Sequence, residues 1–256
     1  MAAKEPKKYS APALEKGLDI IELLSAHSST LSISDIAEHL GRTNAEIYRM
    51  ILVLEQRGYL VKSKHADGYQ ITRKLLQLGT EQEPVKDVLE HARVVMPRLA
   101  NITSMACHIA VESQEQIVVI SSVETPASLS YSVRVGYRRP IIQSASGKVI
   151  FGFQNAEKKE AMMSILERHH SKAELTAFLT ECKKVVKQGY FIGESGFVKA
   201  VTDISVPIFD GDQVVAALTI PFIERTPEKM PIKQVVEELK KAGEFISKSL
   251  TYGLLK

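Results

Sequence analysis

The chain has 256 residues, 45% of them apolar and 25% charged, with a formal net charge of +3. That length suits one large domain or two modest ones with a buried core, and the charge balance is that of a soluble globular protein, not of a polycation. No apolar run approaches a membrane span, and MAAKEPKKYSAP lacks the apolar centre of a signal peptide, so a cytoplasmic protein with no membrane partner is expected. Cys107 and Cys182 have no neighbours at metal-ligand spacing and read as buried thiols, with no metal and no cofactor expected.

Residues 1–12 are polar and Lys-rich, the composition of a flexible arm. Leu14, Leu18, Ile21 and Leu24 then form the stripe of an amphipathic helix. Ser32 can cap a second helix, with Asp35 three residues on and Gly41 ending it. A third helix follows Thr43, its buried face formed by Ile47, Met50, Ile51 and Leu54, and Gly58 stops it. Two strand-like runs, 59–63 and 68–72, flank the polar loop Lys64-His65-Ala66-Asp67 as a hairpin does. Helix, helix, glycine turn, helix, hairpin is the order of a winged helix-turn-helix. Residues 42–74 also hold seven Lys/Arg against three acids, a local excess larger than that of the whole chain, which points to an anionic partner.

A long helical pattern begins near Pro84, and Pro97 is expected to restart it as a second segment. Beyond it strands and helices mix. CHIAV and QIVVISSV are β-rich, and SLSYSVRV alternates as a half-buried strand does. SASGKVIFGF, 157–166 and 172–188 read as helices. DISVPIF and VVAALTI read as strands joined by Asp210-Gly211-Asp212, and 232–250 as an amphipathic helix.

The segments ALEKGLDIIELL, LSISDIAEHLGR, IYRMILVLEQRGYL, GYQITRKLLQLG, YSVRVGYRRPIIQSASGKVIFGF, QGYFIGESGF and VPIFDGDQVVAALTI, in this order and spacing, resemble the IclR family of bacterial transcriptional regulators. The resemblance implies an α+β chain: a winged helix-turn-helix over 13–80 with its helix-turn-helix at 33–53, linker helices over 81–104, and a C-terminal α/β effector-binding domain, GAF-like or profilin-like, over 105–256. It also implies a homodimer, or a homotetramer of paired dimers, on double-stranded DNA carrying a palindromic operator. One such module makes few base contacts, so two half-sites are needed.

By position in the motif, Asn44, Ala45, Tyr48 and Arg49 are candidates for the DNA groove, and Arg42, Thr43, Lys62 and Lys64 for the phosphate backbone. Tyr48 and the wing lysines are equally readable as plain surface residues. Relatives often carry a Lys-Ser-Thr-like run where this chain has Asn44-Ala45-Glu46. Thr43-x-x-Glu46 has the spacing of a capping box, while a contact from Glu46 to a cytosine amine is the alternative.

In the C-terminal half the resemblance maps an effector pocket onto Tyr131, Arg139, Ala145, Ser146, Gly193, Val201, Asp203, Thr219 and Pro221. The helix start in SASGK suits a carboxylate, because free N–H groups and the helix dipole favour an anion. A small organic effector, such as an aromatic or sugar acid, is therefore expected, acting on a repressor of a catabolic operon. Asp203 stands where relatives often have Cys; buried in the pocket it would repel an anion or take a cationic or hydroxyl-rich ligand, and it is equally readable as a surface residue beside its strand.

Two other classes compete. An enzyme would need a triad, a metal cluster or a phosphate loop, and none is present; Ser144 and Lys148 are one residue too far apart for an S-x-x-K nucleophile. The chain therefore reads as no enzyme, with no catalytic residues. A protein–protein adaptor built on a winged helix is the second alternative.

Overall fold

The computed structural model describes residues 11–27, 29–63, 67–80, 85–125, 127–196, 198–227 and 229–253. Two units divide the chain, residues 1–81 and 82–256.

The first unit runs α1 (Pro12–Ala26), α2 (Ile33–Leu40), α3 (Asn44–Gln56), β1 (Leu60–Lys62), β2 (Tyr69–Ile71) and α4 (Lys74–Thr80). Pro12, counted with the arm in the sequence, starts α1, where its missing N–H costs nothing. Ser32 and Asp35 form the expected capping box of α2, and Gly41 takes the left-handed conformation that ends it. The hairpin pairs Leu60 with Ile71 and Lys62 with Tyr69, and Leu31 adds a bridge to Tyr69. Gly68 is needed there, because a Cβ would lie 2.9 Å from the Leu31 backbone.

Ile20, Leu24, Ile36, Ile47, Ile51 and Leu60 form this unit's core. The stripe expected on α1 is displaced: Leu14 and Leu18 are exposed, and the buried row is Ile20 and Leu24. Gly17, Ile20 and Leu24 fit the helical period as well as Leu14, Leu18 and Ile21, and the row facing α3 is the one buried.

The second unit opens with α5 (Val85–Thr103) and continues with β3 (Cys107–Ser113), β4 (Gln116–Val123), β5 (Arg138–Pro140), a 3-10 turn at Ile141–Gln143, α6 (Ala145–Phe153), α7 (Ala156–His169), α8 (Lys172–Gln188), β6 (Phe191–Glu194), β7 (Thr202–Asp210), β8 (Gln213–Phe222) and α9 (Ile232–Tyr252). The six strands form one antiparallel sheet in the order β5-β4-β3-β8-β7-β6. β7 and β8 turn at Gly211, which has a φ of 57°.

Side chains alternate across this sheet, and each face carries its own core. Cys107, Ile109, Ile204, Val206, Leu218 and Ile220 face α5 and α9. Ala110, Ile117, Val119 and Ala217 face α6 and α8. α5 is thus part of this core, through Val88, Ala92, Met96, Leu99 and Ala100. It is also one helix, with Pro97 inside it. Pro97 and Arg93, whose carbonyl loses its partner, both lie on the exposed side, where solvent satisfies that carbonyl.

SLSYSVRV is not a strand: residues 130–134 have no regular structure, and 135–136 form a turn. β5 takes the edge of β4 instead. The alternation arises because the segment lies extended with Val133 buried and Arg134 exposed, which does not need a ladder. β5 and β6 are too short to stand out by periodicity.

Both cysteines are buried and free, as expected. Burial pushes each thiol up to about 12, so neither supplies a thiolate at neutral pH. Among the described residues no helix is long and apolar enough to cross a membrane, and no group of three metal-ligating side chains occurs.

Candidate functional sites

In the first unit α3 buries Ile47 and Ile51 and leaves Asn44, Ala45, Tyr48 and Arg49 exposed. The candidate groove residues therefore share one outward surface at the start of the helix. Among the described residues Arg49 is held by a 3.4 Å bond from its Nε to the Ala45 carbonyl. Asn44 reaches Ser34 at 3.5 Å.

Glu46 lies beside that surface and is fully engaged. Thr43 accepts a bond from the Glu46 N–H, and the carboxylate accepts from the Thr43 N–H at 3.2 Å and from its hydroxyl at 2.9 Å. Lys16 of α1 pairs with the other carboxylate oxygen. The Lys16 ammonium, then the Thr43 donors, hold this carboxyl down at about 2. The acid is a cap and a tie between α1 and α3.

Among the backbone candidates, Arg42 pairs with Asp19 at 3.4 Å and Lys62 with Asp67 at 3.5 Å. Both pairs are exposed enough to exchange readily for another anion. The hydroxyl of Thr43 is committed to the cap. Lys64 lies outside the described residues.

In the second unit a cavity sits between the sheet and the start of α6. Two registered rows of residues run along the sheet beside it, and of these Asp203, Thr219 and His108 line it. Gly193, Asp203 and Pro221 are aligned across β6, β7 and β8. Ser205, Thr219 and His108 are aligned across β7, β8 and β3. The Ser205 and Thr219 hydroxyls bond to each other at 2.8 Å. Ser144 caps α6 by accepting from Gly147 N–H at 3.0 Å, and Ala145 and Ser146 follow as its first residues, where backbone N–H groups lack helical acceptors. Gly147 is obligatory: a Cβ would lie 2.1 Å from the Ile141 carbonyl oxygen.

Of the nine mapped effector residues, Arg139, Ala145, Ser146, Asp203 and Thr219 line the cavity. Gly193 and Pro221 belong to the adjoining row without lining it, and Val201 is buried just before β7. Tyr131 sits on the irregular segment above, close enough to Asp203, Tyr137 and Arg139 to feel their charges. Arg225 anchors that segment by donating to the Leu129 and Ser104 carbonyls at 2.7 and 2.9 Å.

Asp203 is 7% exposed, which decides its reading as a wall of the cavity. Burial pushes its carboxyl up, while the Ser195 hydroxyl and Lys148 pull it back. The space left among these groups is about 20 Å³. That is room for about one water.

Sequence reasoning missed His108, Tyr137 and Ser144, which also line the cavity. His108 had a signal, a single polar residue inside the apolar strand run CHIAV. It is 7% exposed, and burial alone holds its imidazole down at about 4, so it is neutral.

Residues 13–64 match the family described as "IclR helix-turn-helix domain", and residues 84–248 match "Bacterial transcriptional regulator IclR C-terminal". The chain is 24% identical over 255 residues to the HTH-type transcriptional regulator KdgR of Escherichia coli K12, covering 97% of this chain and 95% of that protein. It is 21% identical over 263 residues to the DNA-binding transcriptional repressor YiaJ of the same organism, covering 98% and 92%. Its fold is similar to the crystal structure of an IclR homolog complexed with 4-hydroxybenzoate from Microbacterium hydrocarbonoxydans, with a TM-score of 0.77 at 19% identity over 93% of this chain and 98% of that one. Two matches in tandem, one on each unit, establish that the chain belongs to the IclR family of bacterial transcriptional regulators.

Proposed function

We propose that this protein is a repressor that binds a palindromic operator through α3 and releases it, or binds it less tightly, when a small organic acid occupies the cavity of the second unit. The observation that carries this reading is the pairing, in one chain, of an exposed helix-turn-helix surface with a cavity lined by a guanidinium and a helix N-terminus. Arg49, Tyr48, Asn44 and Ala45 enter the groove, and Arg42, Lys62 and Lys64 bind phosphates, with Thr43 serving the helix start. Two copies read the two half-sites, so the working form is a dimer or a pair of dimers in the cytoplasm.

In the second unit Arg139 and the first turn of α6 receive the carboxylate. The cavity must widen to admit even a small acid, since about 20 Å³ is free. The irregular segment carrying Tyr131 and Val133 is the wall with the fewest ladder bonds to break. A relative that binds DNA as a repressor and a fold neighbour that holds 4-hydroxybenzoate support both halves of the reading.

Operator binding by Arg49→Ala tests the DNA half. Among the described residues the exposed guanidinium makes no further bond, so the variant is expected to keep its melting temperature and lose specific binding in a gel shift. Unchanged operator affinity removes Arg49 from the reading surface. The adaptor reading has no feature of this kind in its favour.

A further inference from the structure

We infer that the cavity selects a hydroxylated organic acid, with His108 and Asp203 as the specificity-determining pair that meets the hydroxyl. The inference rests on the proposal that this cavity is the acid-binding effector site. It adds a requirement for the part of the ligand remote from its carboxylate.

The polar groups of the cavity are not equivalent. Ser205 and Thr219 satisfy each other. The first turn of α6 and Arg139 offer donors, the chemistry of a carboxylate. His108 differs: it is buried, lines the cavity, and its Nδ1 has no hydrogen-bond partner among the described residues. Buried polar atoms are rarely left so, and one that faces a cavity calls for a partner within it. Asp203 lines the same cavity and is an acceptor in its ionised form.

A hydroxyl suits this pair because it donates and accepts at once. It can donate to Asp203 and accept from Nδ1–H of the neutral imidazole in the tautomer that carries its proton there. A ring edge or methyl would leave both groups unmet, and a second carboxylate would face the charge of Asp203. The surrounding charges agree. Arg139 lines the cavity and Lys148 acts on Asp203 from α6, so cationic groups stand beside the acidic one and suit an anionic ligand. Tyr137, Ser144 and Ser146 supply further polar lining.

The test uses the full chain and matched acids differing in one hydroxyl: 4-hydroxybenzoate against benzoate, lactate against propionate, and 4-hydroxybutyrate against butyrate. Melting temperature and titration calorimetry are read for each. The expected result is that the hydroxylated member of a binding pair is favoured by about tenfold or more. His108→Leu and Asp203→Ala are each expected to erase that preference. If His108→Leu fails to fold, Asp203→Ala carries the test, since it removes the buried carboxylate without adding bulk to the cavity. Equal binding of the deoxy acids, or a preference that survives both variants, overturns the inference while leaving the acid site standing. Failure of every acid to bind overturns the acid site and this inference with it.

Discussion

An acid in the first turn of α3, the helix proposed to read DNA, looks misplaced until its partners are counted. Glu46 is held by Thr43 and Lys16, and the Lys16 ion pair does most to keep its carboxyl down at about 2. A folded-state value below the ordinary 4.5 means that the charge stabilises the fold fully above that value and ceases to do so as pH falls toward about 2. Glu46→Gln is therefore expected to lower the melting temperature by a few degrees near neutrality, and the gap to the native chain should narrow through that acid window. A gap independent of pH would mean that the charge contributes nothing. The cap was legible in the sequence because Thr-x-x-Glu has a fixed spacing. The Lys16 tie was not, since thirty positions separate the partners and only packing of α1 on α3 unites them. His108 and Asp203 illustrate the same limit. Strand alternation assigns a face to each residue, but not what lies opposite it.

At the level of elements, long helices and the β7–β8 hairpin were legible, because periodicity and an Asp-Gly turn are local signals. SLSYSVRV and Pro97 were misread for one reason. Alternation reports burial on one side, and proline reports a lost donor, and neither reports whether a neighbouring strand or solvent completes the backbone. α6 is the element on which the cavity most depends. Its first turn fits beneath the 3-10 turn only because Gly147 has no side chain. Gly147→Ala places a methyl against a backbone oxygen, an overpacking that should cost about 1–3 kcal/mol. Thermal unfolding should show that loss, with acid binding weakened as well. A variant as stable as the native chain would show that the turn yields freely.

For the whole molecule, the two units have separate cores, and the local basic excess lies in the first. Binding to operator DNA should therefore carry a steep salt dependence. If the dimer neutralises about 6–10 phosphates, affinity should fall by about 10³–10⁵ between 50 and 200 mM salt. A flat salt response in a filter-binding titration would point to the adaptor alternative instead. α5 bears on how such regulators are recombined. Val88, Ala92, Met96, Leu99 and Ala100 lie in the same core as α9 and the sheet. A chimera that joins a foreign DNA-binding unit at Cys107 would discard one wall of the sensor and leave α9 with bare apolar surface. Grafting ahead of Val85 keeps that wall, so the helix travels with the ligand site and a regulator assembled there exchanges its operator without losing its sensor.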